Sequence, residues 1–160
     1  MTSPTPNKQP NKDAMVNGRL VQLERGDNAV YISLTRTSTL SITTAGVIVT
    51  WQSLIDAGCA ASWSGSTITV PVSGYYSLTI KGTFGVKDSV TGDVLVNGVE
   101  VCTMGTGDSK DAKFRLTATR FYKADDAVQV RLTTATGTMT LQVNTEDSAS
   151  ESPILHMVLI

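Results

Sequence analysis

The chain has 160 residues, with 13 Lys and Arg against 14 Asp and Glu, a formal net charge of −1 and 41% hydrophobic residues. That length suits one domain with a proper core; the balanced charge gives no field for phosphate backbones, so nucleic-acid binding is set aside. No stretch approaches the ~18 apolar residues of a membrane-spanning helix, and Thr with Ser, roughly a quarter of the chain, tilts the composition toward strands.

Residues 1–17, MTSPTPNKQPNKDAMVN, contain almost nothing to bury. Pro4, Pro6 and Pro10 favour extended backbone without internal hydrogen bonds, and Lys8 and Lys12 add slight positive charge. On composition this segment is disordered alone. Extended, it reaches on the order of 50 Å, enough to bridge neighbouring subunits, and the expected organisation is a polar arm over 1–17 followed by one domain over 18–160. The segment lacks the apolar h-region of a secretory signal, so the expectation is a soluble chain assembled in the cytoplasm. Arg25-Gly26-Asp27 spells an integrin-binding tripeptide, but three residues recur by chance and Gly-Asp is ordinary turn chemistry.

From Val16 onward the pattern is short strands and turns. GRLVQLERGD alternates through Leu20 and, less cleanly, Leu23; AVYISLTRT alternates through Val30, Ile32 and Leu34; GVIVTW is an apolar run. The Gly and Ser content of WQSLIDAGCAASW argues for a loop. TITVPVSGYYSLTIKGTF reads as strand, pivot, strand, broken at Pro71 and Gly74, with Tyr76, Leu78 and Ile80 on one face. In DVLVNGVEV, Asn97-Gly98 marks a type I′ hairpin turn, because both residues tolerate positive φ. A two-residue loop would set Val96 against Val99 and Val94 against Val101, with all four valines on one side. Residues 104–112 read as a polar loop, followed by KFRLTATRFY, the turn KADD, AVQVRL and TMTLQV. The acidic loop NTEDSASES leads into PILHMVLI. Ile154 to Ile160, apolar at every position but His156, should be a central strand with both faces covered. About eight to ten such strands and no long helical period indicate an all-β sandwich or barrel.

ITVPVSGYYSLTI resembles the strand-corner-strand signature of the jelly roll shared by tumour necrosis factor and the complement globular head. Val72, Gly74, Tyr76 and Leu78 stand at the places of V-x-G-x-Y-x-F, with Leu for the aromatic. Tyr122 to Val128 is similar to L-x-x-G-D-x-V, with Asp125 in place of glycine, a residue that accepts the left-handed region. SPILHMVLI is similar to the closing strand S-x-F-x-G-x-L, with His156 where glycine is usual. The likeness spans about residues 29–160. It implies an antiparallel jelly-roll sandwich and a homotrimer packed through one sheet, on strands bearing Tyr76, Leu78, Ile80, Ile154, His156, Val158 and Ile160. It also implies a binding module without catalysis, and phage virion proteins use this fold as capsid decorations and tail-fibre tips.

No H-x-x-x-H, G-x-S-x-G or Cys/His metal spacing is present, so neither enzyme activity nor a cofactor is expected. His156, the one histidine, is expected packed or hydrogen-bonded in the interior; in a trimer, three copies could instead form a pH-sensitive cluster. Cys59 and Cys102 are expected as free, mostly buried thiols. Asp93, Asp108, Asp111, Glu146, Asp147 and Glu151 are expected in solvated loops, without an EF-hand pattern for calcium. Trp51, Trp63, Tyr75 and Tyr122 would stack on sugars if exposed, but belong more readily to a core. These readings converge on a structural virion protein, a capsid decoration whose arm lies on the major capsid protein and holds the head together through many small contacts. The alternative is the receptor-binding tip of a tail fibre, contacting host glycan or protein.

Overall fold

The computed structural model describes residues 29–58, 61–85, 88–108, 113–144 and 152–160. Residues 1–17, with Pro4, Pro6, Lys8, Pro10 and Lys12, and the Arg25-Gly26-Asp27 tripeptide lie outside the described residues, as does the alternating segment around Leu20. The described strands are β1 (Tyr31–Thr35), β2 (Leu40–Ile42), β3 (Val47–Ile48), β4 (Ser53–Ala57), β5 (Ser62–Ser64), β6 (Thr67–Thr69), β7 (Gly74–Thr83), β8 (Ser89–Val96), β9 (Val99–Asp108), β10 (Lys113–Tyr122), β11 (Ala127–Thr134), β12 (Met139–Leu141) and β13 (Ile154–Leu159). Among the described residues thirteen strands stand where eight to ten were expected, partly because Ser53–Ala57 and Ser62–Ser64, read from sequence as loop at WQSLIDAGCAASW, are β4 and β5.

Two antiparallel sheets face each other. One runs β10-β7-β13-β1-β4, the other β5-β6-β11-β8-β9 with β3 also on β11, and β12 pairs with β2 apart from both. Strict alternation on β1, β7, β11 and β13 sends Ile32, Leu34, Tyr76, Leu78, Ile80, Val128, Val130, Leu132, Leu155 and Met157 into one shared core. Each such side chain contributes roughly 1.5–3 kcal/mol on burial, so the two facing stripes dominate the stability. The architecture is the expected all-β jelly-roll sandwich, and β13 sits at the centre of its sheet, between β7 and β1.

The chain changes sheets at Pro71–Ser73, between β6 and β7. Backbone groups freed there are taken by the turn between β10 and β11. Asp125 N donates to Val70 O at 2.8 Å, and Val70 N donates to Asp126 O at 3.0 Å. Inside the corner, the buried Tyr76 hydroxyl donates to Val72 O at 2.8 Å. The hairpin tip joins the same end: Asn97 Nδ2 donates to Asp126 Oδ1 and Ala127 N to Asn97 Oδ1, both at 3.0 Å. Asn97 and Gly98 have φ of 52° and 81°, the positive values their turn demands.

The hairpin departs from its expected register. Val96 does oppose Val99, but shifts in register leave Val94 opposite Cys102 instead of Val101. Val94 is fully buried while Val99 is 65% exposed, so the four valines do not share one buried face. Asp93 is not in a loop; it lies within β8 and is nearly buried. The polar segment after Met104 continues as strand through Asp108. Cys102 is a free, half-buried thiol, and Cys59 lies outside the described residues.

Asp125 has φ of 69°, a region costing a side-chain-bearing residue about 1–2 kcal/mol and glycine almost nothing. Asp125→Gly should therefore hold or raise the thermal midpoint. Asp125→Val, branched at Cβ, should lower stability by about 2 kcal/mol, as chemical denaturation would show.

Candidate functional site

Alternation that fills the core on one side of the five-stranded sheet leaves a second surface on the other. Register orders that outer surface into rows. Arg115, Lys81, Ile154 and Thr35 form one; Thr117, Thr79, His156 and Ser33 the next; Thr119, Ser77, Val158 and Tyr31 the third. Phe121 opposes Tyr75 in the last, beside Ile160, whose backbone N donates to Tyr75 O at 2.9 Å.

This surface is apolar at one end. Tyr75, Phe121 and Ile160 are 59%, 46% and 69% exposed, and the Tyr75 and Phe121 rings meet edge to face with centroids 5.4 Å apart. Such rings bury readily against a partner and lose few rotamers in doing so. An open groove of about 600 Å³ adjoins them, lined also by Val96, Val101, Arg120 and Lys123. Arg120 donates from Nη1 to Val101 O at 3.0 Å, which ties β10 to β9 along the groove.

The middle of the surface is hydroxyl-rich. Thr79 and Thr117 share a hydrogen bond at 3.0 Å, and Ser33 Oγ lies 2.6 Å from His156 Nδ1. Tyr31 packs against the His156 ring and donates its hydroxyl to Asp56 at 2.9 Å. That bond to a carboxylate holds the phenol above its ordinary range. At the far end, Thr79, Lys81, Arg115, Ile154 and His156 surround a smaller cleft of about 160 Å³.

The residues expected to share one role divide between two faces. Tyr76, Leu78 and Ile80 point into the core, whereas Ile154, His156, Val158 and Ile160 lie on the outer surface. His156 is exposed and hydrogen-bonded at the surface, not interior. Among the aromatics, Trp51 and Tyr122 are buried and Trp63 half-buried, but Tyr75 is exposed. Asp93 accepts from Thr103 Oγ1 at 3.0 Å and from Arg131 at 2.9 Å, and Arg131 also reaches Glu100. Those two carboxylates hold the Arg131 guanidinium above its ordinary range, so this acid is a sheet-bracing partner. Asp111, Glu146, Asp147 and Glu151 lie outside the described residues, as does the Asp108 side chain. Phe121, Lys81 and Arg115 were not singled out by sequence. Phe121 had a signal: it stands at the outward parity of β10, where Arg115, Thr117 and Thr119 are polar.

Solved structures share this arrangement of strands. Murine APRIL, a tumour-necrosis-factor-family jelly roll, in a crystal structure at pH 8.5 has a TM-score of 0.55 at 14% identity, over 82% of this chain and 99% of that one. Murine APRIL at pH 5.0 gives a TM-score of 0.56 at 15% identity over the same shares. The fold is a tumour-necrosis-factor-like jelly roll. No family model and no curated relative matches the chain.

Two buried phenols beneath the surface make opposite predictions. Tyr76 loses its bond to Val72 O on truncation, so Tyr76→Phe should cost about 1 kcal/mol. Tyr122, edge-on to Tyr76 with centroids 5.9 Å apart, has no hydrogen-bond partner for its hydroxyl among the described residues, so Tyr122→Phe should be neutral or stabilising. Burial, reinforced by Cys102, pushes the Tyr122 phenol from 10.0 up to about 12. Between these values the unfolded phenol ionises while the folded one keeps its proton, so stability falls as pH rises. Urea midpoints from pH 8 to 11 should decline less for Tyr122→Phe than for the parent chain.

Proposed function

We propose that this protein is a non-catalytic homotrimer that decorates a virus capsid, with its jelly roll on the shell and residues 1–17 laid across the major capsid protein. The observation that carries the trimer is the uncovered sheet surface, where Tyr75, Phe121 and Ile160 stand open at 59%, 46% and 69% exposure. Apolar area left in water forgoes about 25 cal/mol per Å². Cyclic symmetry lets each copy cover this surface on the next, and the tumour-necrosis-factor likeness implies three copies. The Pro-rich, apolar-poor composition of residues 1–17 supports an extended arm that makes many weak contacts. Three arms per trimer multiply those contacts without any one being strong.

A second reading, the receptor-binding tip of a tail fibre, draws on the groove of about 600 Å³. Its mixture of aromatic rings, Arg120 and Lys123 suits a glycan, which stacks on rings and hydrogen-bonds at its rim.

Native mass spectrometry of the full chain at micromolar concentration should give three times 17.0 kDa. Phe121→Glu with Ile160→Asp should shift it to a folded monomer, and a monomeric parent chain would exclude the trimer. Deleting residues 1–17 should leave the trimer intact and abolish attachment to capsids stripped of the protein. A truncated domain that still blocks phage adsorption to cells would favour the fibre-tip reading instead.

A further inference from the structure

We propose that Lys81, Arg115 and His156 form an oxyanion site of the phosphate or sulfate class on the outer surface of the five-stranded sheet. Lys81 and Arg115 are directly opposite in the antiparallel register of β7 and β10, which holds their Cβ atoms about 5 Å apart. Like charges in that position oppose the pairing of the strands. Neutralisation would normally come from a neighbouring carboxylate, yet β7, β10, β13 and β1 contain no Asp or Glu. The sheet's one acid among the described residues is Asp56 on the far edge strand, already bonded by the Tyr31 hydroxyl and the Ala57 amide. It stands three strand spacings from β7, about 14 Å, beyond the range at which physiological salt leaves much attraction.

Half-buried Lys81 and exposed Arg115 nonetheless line, with His156, Thr79 and Ile154, one open cleft of about 160 Å³, room for about five waters or one tetrahedral oxyanion with part of its hydration. The donor set matches such a group. Arg115 brings a planar fork suited to two oxygens, and Lys81 a compact point charge. His156 has Nδ1 engaged by Ser33 Oγ at 2.6 Å. Its second ring nitrogen, Nε2, donates whenever it carries a proton. The site is built within one chain and does not depend on the trimer.

Calorimetric titration of the full chain with inorganic phosphate, at constant ionic strength in chloride, tests this. We expect saturable binding of one phosphate per chain, displaced by sulfate, and weakened about tenfold by Lys81→Gln or Arg115→Gln. Both variants sit on the sheet surface, and each should raise the thermal midpoint in phosphate-free buffer by removing the opposed pair. Glucose 6-phosphate separates the sources: binding by both ligands marks a phosphate carried on a larger molecule, binding by inorganic phosphate alone marks a free ion, and either supports the site. Absence of saturable phosphate and sulfate binding overturns it, as does equal binding by Lys81→Gln. Oligomeric mass recorded on the same samples separates failure of the site from failure of the trimer.

Discussion

The five-stranded sheet has two faces and the chain supplies one core. Everything on the β7, β13 and β1 strands follows from that constraint. Inward positions carry Leu, Ile, Met and Tyr, packed to near-complete burial against β8 and β11. Outward positions are free of that demand, and their composition reports what else the surface meets. On β13 the outward residues are Ile154, His156 and Val158, continued by Ile160 just past its end, an unusual series for a strand that faces water. A charged or Thr-rich series would have met the solubility requirement, as β10 does over most of its length with Lys113, Arg115, Thr117 and Thr119. The departure from that rule at the Phe121 end is therefore informative about function in a way that the core is not.

A second constraint fixes where that surface begins. Crossing between sheets at Pro71–Ser73 frees backbone groups that a sandwich end cannot leave unmet. The Lys123–Asp126 turn meets them and, through Asp126, also binds the Asn97 side chain at the hairpin tip. Corner, turn and hairpin thus set one another's positions, and the Tyr76 hydroxyl ties the corner down from inside the core. Because β7 and β10 leave this laced end together, Tyr75 and Phe121 emerge opposite each other with their rings in contact. The apolar end of the surface is thus placed by hydrogen bonds made almost wholly by backbone and turn residues.

Those local devices were legible in the sequence. Asn97-Gly98, Asp125 in a glycine position, and the Val72-Gly74-Tyr76 spacing each specify backbone geometry within a few residues, and β13 announced itself by composition. What was illegible depends on register between distant segments. β4 and β5 set Ile55 and Trp63, which favour strands, among Ser, Asp and Ala that do not, and are completed by pairing with the edges of β1 and β6. Asp93 looked like a loop acid, since its partner Arg131 lies 38 residues away. Val94 missed its expected neighbour because the register slips beside it, and no residue in that hairpin signals the shift. Lys81 and Arg115 are separated by 34 positions, and nothing in either strand alone marks them as opposed.

Taken as one surface, the outer face runs from aromatic to cationic across a band of hydroxyls, and the two ends make opposite demands on water. Tyr75, Phe121 and Ile160 gain by losing it. Lys81 and Arg115 lose by it, because desolvating like charges without a counterion raises their repulsion as the local dielectric falls. A copy covering the whole surface would therefore stabilise one end and destabilise the other. Two arrangements satisfy both ends: contact confined to the aromatic end, or full coverage with an anion in the cleft. The hydroxyl band fits either, since Thr79, Thr117, Ser77 and Thr119 are hydrogen-bonding groups that tolerate water or a partner backbone at little cost. In the second arrangement the anion offsets the repulsion of the pair, and the stability of such an assembly would depend on anion concentration by simple linkage. In that arrangement alone, charge placement on a sheet that is otherwise a packing surface would couple subunit association to a small ion.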